Sequence, residues 1–338
     1  MNNLQLTRSK YIVPYANFLT EVGEPVGRLL HLAGLPSNCL EYPQTPVPTT
    51  ALWRFRELAA LRTGLPNLTL DVVANLEFAK LGAIANAVMR EPTLLKMVKS
   101  FERLVRAETA TASLNVLPCA HGGVYFVDRL GLRNVQGEWH AELYVLLWML
   151  KIVQLVEPTW SPTEICCVSK ANPDRVRAIE SLGAKPRFGE CCTCFTIPAS
   201  MLALPSKSCR CMPRNLNSEE GDLWSAAPSD TFSGALKQLI RAYADDGWLT
   251  VKAASEIAGT SLRTMQRRLS AEATTYSGVL DEVRSELAGE LLENTNTPIA
   301  EISAQLGYDD RCNFTRAFRR WAGVPPTLFR AQRRPIPA

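Results

Sequence analysis

The sequence lacks the residue patterns on which most enzymes depend. It contains no glycine-rich phosphate-binding loop, no nucleophilic serine set between glycines at a strand-to-helix turn, and no paired-carboxylate motif. Histidine is scarce, with three residues in 338, and His31, His121 and His140 are too widely spaced to form a metal-ligand pattern. We therefore expect neither enzymatic activity nor a bound cofactor or metal.

Long hydrophobic runs and secretory signals are also missing. No uncharged window of about 18 residues could span a bilayer, and the N-terminus has no basic start followed by an apolar run and a cleavage site. The most apolar segment, residues 143–156, contains Lys151 and is too short for a membrane span, so it predicts a buried helix. Ten cysteines without a secretory signal are typical of a reducing compartment. We expect a cytoplasmic protein that does not enter a membrane.

The chain is long enough for two domains, and a change in composition near residue 205 separates them. Residues 1–204 begin with helical apolar spacing and continue into short runs of β-branched and aromatic residues, which predict an α+β domain. These strand-like runs are 111–117, 123–130, 164–170 and 192–198. Residues 205–230, rich in Pro, Ser, Asn and Gly, are typical of a linker. Residues 231–338 show helical periodicity alone and predict an all-α domain.

The distribution of charge is more informative than its total, because the net charge is only +4. Residues 259–271 contain three arginines and no acid, and residues 311–334 contain seven arginines and no acid. The acids lie between these segments, at Asp281, Glu282, Glu286, Glu290, Glu293 and Glu301. Two separated arginine-rich segments favour a polyanionic partner, because the guanidinium group binds phosphate and guanine through two hydrogen bonds. An ordinary solvated surface is the alternative interpretation.

The C-terminal region contains an internal repeat. Sliding the sequence by 49 residues aligns residues 256–269 with residues 305–318 and matches apolar positions and an arginine. The matched pairs are Ile257 with Leu306, Met265 with Phe314, Arg267 with Arg316, and Leu269 with Phe318. Each copy reads as a short amphipathic helix, a turn and a second helix behind a polar cap. The candidate caps are Thr260 or Ser261 in the first copy and Asp309 or Asp310 in the second. Each copy is therefore predicted to be a helix-turn-helix.

In a helix-turn-helix the second helix lies in the major groove, with residues near its N-terminus facing the base edges. We expect Leu262, Met265 and Leu269 in the first copy, and Phe314 and Phe318 in the second, to face the protein core. The predicted base-contacting residues are Arg263, Gln266, Arg267, Arg311, Cys312, Thr315 and Arg316. The predicted phosphate-contacting residues are Thr260, Ser261, Arg268, Asn313, Arg319 and Arg320.

A helix between the two copies is predicted to fix them together. Leu280, Val283, Leu287 and Leu291 lie on one face of this helix, which ends near Pro298. Because one chain supplies both copies, they need not be related by a two-fold axis. The expected partner is therefore an asymmetric site on double-stranded DNA.

Residues 248–330 resemble the tandem helix-turn-helix domain of AraC/XylS-type bacterial transcription regulators. The specific part is residues 299–330, in which Leu306, Gly307, Phe314, Phe318, Gly323, Pro326 and Arg330 match the family signature. Pro325 stands where the family usually has Ser or Thr. Residues 18–204 resemble the arabinose-binding-type effector domain, most clearly in residues 175–205. The resemblance implies a transcription regulator with an unidentified small-molecule effector and RNA polymerase as a partner, and it leaves open whether the protein is an activator or a repressor. It leaves homodimer formation open, and the helical opening does not support the cupin-like barrel of many family members.

The cysteines support an alternative function. Seven of them, Cys166, Cys167, Cys191, Cys192, Cys194, Cys209 and Cys211, fall within 46 residues. Thiolates at such spacings could hold a soft metal, act as a redox switch or accept a methyl group, as in a zinc-thiolate relative that repairs alkylated DNA. Only Cys191 and Cys194 have C-x-x-C spacing, and Cys166 and Cys167 should point to opposite faces of a strand. A cysteine-based sensor or methyl acceptor with the same DNA-binding domain is thus the competing hypothesis.

Overall fold

A computed structural model describes residues 4–74, 76–110, 113–120, 122–129, 135–206 and 227–333. Tertiary contacts divide the chain into two compact units, the first running from Gln5 to Pro228 and the second beginning at Ser229. The first unit combines helices with β-sheet, whereas the second contains only helices within its described residues. The predicted order of an α+β region followed by an all-α region is confirmed.

Helices dominate the first half of the N-terminal unit. They are α1 (Val13–Glu21), α2 (Val26–Ala33), α3 (Thr49–Thr63), α4 (Leu68–Ala74), α5 (Ala83–Met89) and α6 (Leu94–Leu104). A short antiparallel pair, β1 (Leu6–Arg8) and β2 (Pro46–Pro48), lies among them. Their apolar faces form one continuous core with the sheet that follows.

A five-stranded sheet completes the N-terminal unit. Its strands are β3 (Leu114–Pro118), β4 (Val124–Asp128), β5 (Glu164–Cys167), β6 (Lys185–Phe188) and β7 (Thr193–Ile197), in the order β3-β4-β7-β5-β6. Helix α8 (Pro173–Ser181) connects β5 to its parallel neighbour β6, and the other pairs are antiparallel. The four predicted strands are confirmed. Strand β6 was not predicted, because Pro186 interrupts its sequence pattern; an edge strand tolerates such a proline.

The predicted buried helix is α7 (Glu138–Gln154), and the short helix α9 (Ala199–Leu202) follows the last strand. Helix α7 is buried on almost every side, because α3, α4, α6 and the sheet all pack against it. Among the described residues, no helix combines the length and apolarity needed to cross a bilayer.

The C-terminal unit contains seven α-helices over its described residues. They are α10 (Phe232–Ala242), α11 (Val251–Ile257), α12 (Leu262–Ala271), α13 (Tyr276–Asn294), α14 (Ile299–Gln305), α15 (Arg311–Ala322) and α16 (Pro326–Arg333). Helices α11 and α12 form the first helix-turn-helix, and α14 and α15 form the second. Both predicted units are confirmed, with α13 between them.

The repeat has two registers instead of one. The scaffold helices α11 and α14 match at an offset of 48 residues, since Ser255 and Ser303 are both buried and each carbonyl accepts the same turn hydrogen bond. The second helices match at the predicted offset of 49, which superposes Met265 on Phe314 and Leu269 on Phe318, all four buried. The second turn is thus one residue longer. The predicted pairing of Ile257 with Leu306 is wrong, because it lies on the scaffold side of this insertion.

The linking helix α13 is buried along a different line from the one predicted. Its buried residues are Val279, Val283, Ala288 and Leu292, whereas Leu280, Leu287 and Leu291 are half-buried. The buried surface of α13 is broader than predicted because α10, α14, α15 and α16 all contact this helix. The acids of α13 form surface ion pairs within the unit: Glu282 and Glu286 with Lys237, Glu290 with Arg241, Asp281 with Arg320, and Glu293 with Arg333.

Candidate nucleic-acid interface

The first recognition helix, α12, is capped and oriented as its sequence predicts. Of the two candidate caps, Ser261 acts, because its hydroxyl accepts a hydrogen bond from the Thr264 backbone N–H at 3.2 Å. Met265 and Leu269 are buried. Leu262 was expected beside them but is 39 % exposed, because it occupies the first helical position, beyond the edge of the core.

Three polar side chains of α12 lie exposed on the side away from the core. Arg263, Gln266 and Arg267 have neither a hydrogen bond nor an ion pair with any described residue. Their donors are therefore available to an external partner. Arg268 and Thr260 are half-buried, and the Arg268 guanidinium lies 5.2 Å from the centre of the Phe232 ring. This contact holds Arg268 against α10, so its terminal nitrogens could reach a phosphate only at the edge of the helix.

The second recognition helix, α15, repeats this arrangement with larger side chains. Asp310 is the cap, accepting a hydrogen bond from the Cys312 N–H at 2.9 Å. Arg311, Cys312 and Arg316 are exposed. Thr315 is half-buried, and its hydroxyl donates to the Arg311 carbonyl at 2.9 Å, which leaves the hydroxyl oxygen free to accept. Phe314 and Phe318 are buried, as predicted.

The arginines of α15 differ in how strongly the protein already holds them. Arg316 donates to the Asn313 amide oxygen at 2.6 Å, an exposed contact within one helical turn. Arg320 pairs with Asp281 of α13 at 2.6 Å. Arg319 is exposed, with no side-chain partner among the described residues. Asn313 therefore orients Arg316, Arg320 must exchange Asp281 for any phosphate, and Arg319 is free to move.

Residues that the sequence did not reveal connect the second helix-turn-helix to the segment that precedes the first helix-turn-helix. The Trp248 indole N–H donates to the Gln305 carbonyl at the end of α14, at 3.0 Å. The Arg284 guanidinium lies 4.8 Å from the Trp248 ring and 5.0 Å from the Tyr308 ring. Gly307 has a φ of +74°, and a Cβ there would lie 2.5 Å from Trp248 Cδ1. Two features of the sequence could have indicated these contacts: Trp248, which precedes α11, and Arg284, which lies among the acids of α13.

The N-terminal unit contains a cavity of about 90 Å³. Most of its wall is aliphatic or aromatic, with contributions from α3, α6, α7 and the first two strands of the sheet. Two charged side chains also line it, Arg56 of α3 and Asp128 of β4, and both are buried. Burial, together with the charge of Glu142, raises the pKa of Asp128 to about 7.

The cysteines give no support to a metal centre within the described residues, since no group of three potential ligands converges there. Cys166 is half-buried and Cys167 fully buried on adjacent positions of β5, as the strand alternation predicts. Burial raises the pKa of the Cys166, Cys192 and Cys194 thiols, which disfavours the reactive thiolate form. Cys209 and Cys211, which fall in the predicted linker, lie outside the described residues.

Comparison with known proteins agrees with this architecture. A family model described as a helix-turn-helix domain matches residues 254–332. The model of the N-terminal arabinose-binding domain of AraC transcription regulators matches residues 23–206, more than half of the chain.

Two relatives come from Pseudomonas aeruginosa. The ornithine utilization regulator is 48% identical over 71 residues, 21% of each chain. The regulator VqsM is 37% identical over 100 residues, 29% of this chain and 31% of VqsM. The matches thus span a fifth to a third of these relatives' lengths. The crystal structure of the transcriptional regulator CdpR from the same species aligns over 94% of this chain and 96% of that chain, with a TM-score of 0.42 and 18% identity. With its N-terminal domain and its helix-turn-helix region both matched, the chain belongs to the AraC family of transcription regulators.

Proposed function

We propose that this protein binds a specific promoter sequence and that a small-molecule effector controls this binding. The proposal rests chiefly on Arg267 and Arg316, which occupy equivalent positions of two recognition helices and are both exposed. An arginine at such a position can donate two hydrogen bonds to guanine, and each good pair discriminates against the wrong base by about 1–3 kcal/mol. Arg263, Gln266, Arg311, Cys312 and Thr315 are proposed to contact the neighbouring bases.

The two helices are proposed to read one asymmetric site. The Trp248–Gln305 hydrogen bond and the Arg284 contacts restrict how the two helix-turn-helix units move relative to each other. Successive major-groove faces lie about 34 Å apart, one turn of the duplex. A single chain could therefore contact two segments of different sequence. RNA polymerase is the proposed partner at the promoter, and the cytoplasm is the proposed location.

The cavity in the N-terminal unit is the proposed effector site. An effector changes DNA affinity only if it binds the DNA-competent and incompetent states with different affinities. A largely apolar cavity lined by two charged groups has the usual character of a small-molecule site.

The first experiment is selection of DNA fragments by the purified full chain, with and without cell extract, followed by binding assays on the recovered sequence. We expect Arg267→Ala and Arg316→Ala each to relax base preference in one segment, at a cost of about 1–3 kcal/mol for the preferred base. Arg319→Ala serves as the matched control. Arg319 lies on α15 and is proposed to contact phosphate, so its loss should weaken all sequences alike and reduce the salt dependence by about one phosphate contact.

Thr260, Ser261, Arg268, Asn313 and Arg320 are the other proposed phosphate contacts. Arg320 is the less suitable control because its substitution also removes the ion pair with Asp281. A uniform loss for all three variants, with no change in base preference, would contradict the assignment of Arg267 and Arg316. Failure to enrich any sequence would contradict the proposed function itself.

A further inference from the structure

The cavity contains a buried cation without a counterion. Arg56 is 2 % exposed, and it forms no ion pair with any residue in the described part of the chain. Its Nε atom, also buried, has no hydrogen-bond acceptor. Arg8, a neighbour in the same core, is instead paired with Glu108 at 3.3 Å. The fold therefore supplies a carboxylate to Arg8 and none to Arg56.

Aromatic rings compensate Arg56 only in part. Its guanidinium lies 4.0 Å from the centre of the Tyr144 ring and 5.0 Å from that of Tyr15. Such contacts stabilise a cation modestly, whereas a buried charge without a partner is strongly unfavourable. A buried charge that lowers the stability of the protein in this way is expected where an external ligand supplies the counterion.

The polar atoms of α3 that line the cavity fall on one face of the helix. Thr49, Leu52 and Arg56 are spaced at i, i+3 and i+7, and all three line the cavity. The Thr49 hydroxyl is buried and, like Arg56 Nε, has no hydrogen-bond partner. Thr49 and Arg56 thus bring two unpaired polar groups to the same face of α3.

Asp128 adds a third polar point, from β4. Because its pKa is raised to about 7, this carboxyl retains its proton in a large fraction of molecules at neutral pH and can then donate a hydrogen bond. Other lining residues, among them Ile84, Phe101 and Trp148, offer apolar contact. A ligand that fits must be anionic at one end and apolar at the other.

The volume limits the size of the ligand. The cavity volume of about 90 Å³ is smaller than the cavity of about 150 Å³ that holds benzene in another protein. A sugar with hydroxyl groups all around its ring would leave several of them unpaired against the apolar walls. A compact acid with a short hydrocarbon chain satisfies both limits.

We infer that the effector is a small carboxylate whose anionic group binds Arg56 and Thr49 and whose hydrocarbon part contacts the apolar wall of the cavity. This inference rests on the proposed function, because it identifies the cavity as the effector site.

The test measures thermal unfolding of the full chain with four probes at equal ionic strength: butyrate, butyramide, L-2-aminobutyrate and L-arabinose. Butyrate is expected to raise the melting temperature by about 5 °C at a hundredfold excess over its Kd. Butyramide, which has the same shape without the charge, and L-arabinose are expected to produce no shift. L-2-aminobutyrate is expected to produce a smaller shift than butyrate, because burial of its charged amine in the apolar cavity is unfavourable.

Arg56→Met should abolish the butyrate response while raising the melting temperature of the ligand-free protein, because it replaces an unpaired charge with an apolar chain of similar length. Arg54→Met is the matched control, since Arg54 lies exposed on the same helix and should leave both quantities unchanged. If Arg56→Met does not fold, Thr49→Val removes one hydroxyl without changing side-chain shape and should weaken butyrate binding several-fold.

Three results would overturn the inference: no shift with butyrate, an equal shift with butyramide or sodium chloride, or a full shift in Arg56→Met or Thr49→Val. DNA binding is measured separately on the same samples. Normal sequence-specific DNA binding without a butyrate response refutes the ligand class alone. A butyrate response without sequence-specific DNA binding refutes the proposed function and leaves the site intact.

Discussion

Replacing Gly307 with alanine tests how the second helix-turn-helix is held. Gly307 follows α14 with a φ of +74°, a conformation that costs an alanine about 1 kcal/mol. The new Cβ would also lie 2.5 Å from Trp248 Cδ1 and 3.0 Å from Trp248 Nε1, so the rigid indole ring must move.

The displacement of Trp248 has a cost that can be estimated from its contacts. The ring donates a hydrogen bond to the Gln305 carbonyl, worth about 1 kcal/mol. It also stacks against Arg284, which adds about 0.5–1 kcal/mol. Together with the backbone strain, Gly307→Ala should destabilise the C-terminal unit by about 3 kcal/mol.

Gly323→Ala is the matched control. Gly323 ends α15 with a φ of +77°, and nothing lies within 4 Å of its Cβ position, so alanine there should cost only the strain of about 1 kcal/mol. Native-state hydrogen exchange of peptides from α14 and α15 measures both variants in the full chain. In a Trp248→Ala background, the cost of Gly307→Ala should fall to that of the control. Equal costs for the two glycine variants in the wild-type background would refute the contact.

Two further outcomes are expected. The folded-state pKa of Asp128 is raised to about 7, so the folded protein holds a proton that the unfolded chain releases near pH 4. The free energy of unfolding should therefore decline as pH rises from about 4 to 7 and level off above pH 7. In thermal unfolding across this pH range, Asp128→Asn should remove the part of the decline that Asp128 causes, whereas the control Asp71→Asn, at an exposed position, should not. An unchanged pH profile in Asp128→Asn would contradict the raised pKa of Asp128. At the start of α12, Ser261→Ala should cost about 1 kcal/mol of stability and Ser261→Gly only a few tenths. If both variants lose the same DNA affinity in anisotropy titrations, the Ser261 hydroxyl contacts phosphate, whereas a loss confined to the alanine variant would mean that it acts only as a cap.

The elements that depend on local periodicity were predictable. The spacing of Met265 and Leu269, and of Phe314 and Phe318, predicted which faces of the recognition helices are buried. The apolar run around Trp148 predicted α7. The single offset of the repeat failed at the turn, because one inserted residue changes the register without changing either helix.

Features that depend on distant residues could not be predicted. Trp248 and Gln305 are 57 positions apart, and no local pattern relates them. Arg56 reads as one more polar residue in α3, and only tertiary packing reveals that it is buried without an acid. The cavity likewise requires helices and strands to converge from widely separated parts of the sequence.

The ion pairs of α13 affect how the C-terminal unit would approach DNA, its proposed partner. Lys237, Arg241 and Arg333, which lie outside the recognition helices, are each matched with a glutamate. The cations left unmatched include Arg263 and Arg267 on α12 and Arg311 and Arg319 on α15. The C-terminal unit can therefore have a net charge close to zero while its positive potential is concentrated along the two recognition helices. Such a field turns an approaching molecule toward the duplex before any contact forms, and it gives the remaining surface little attraction for other polyanions.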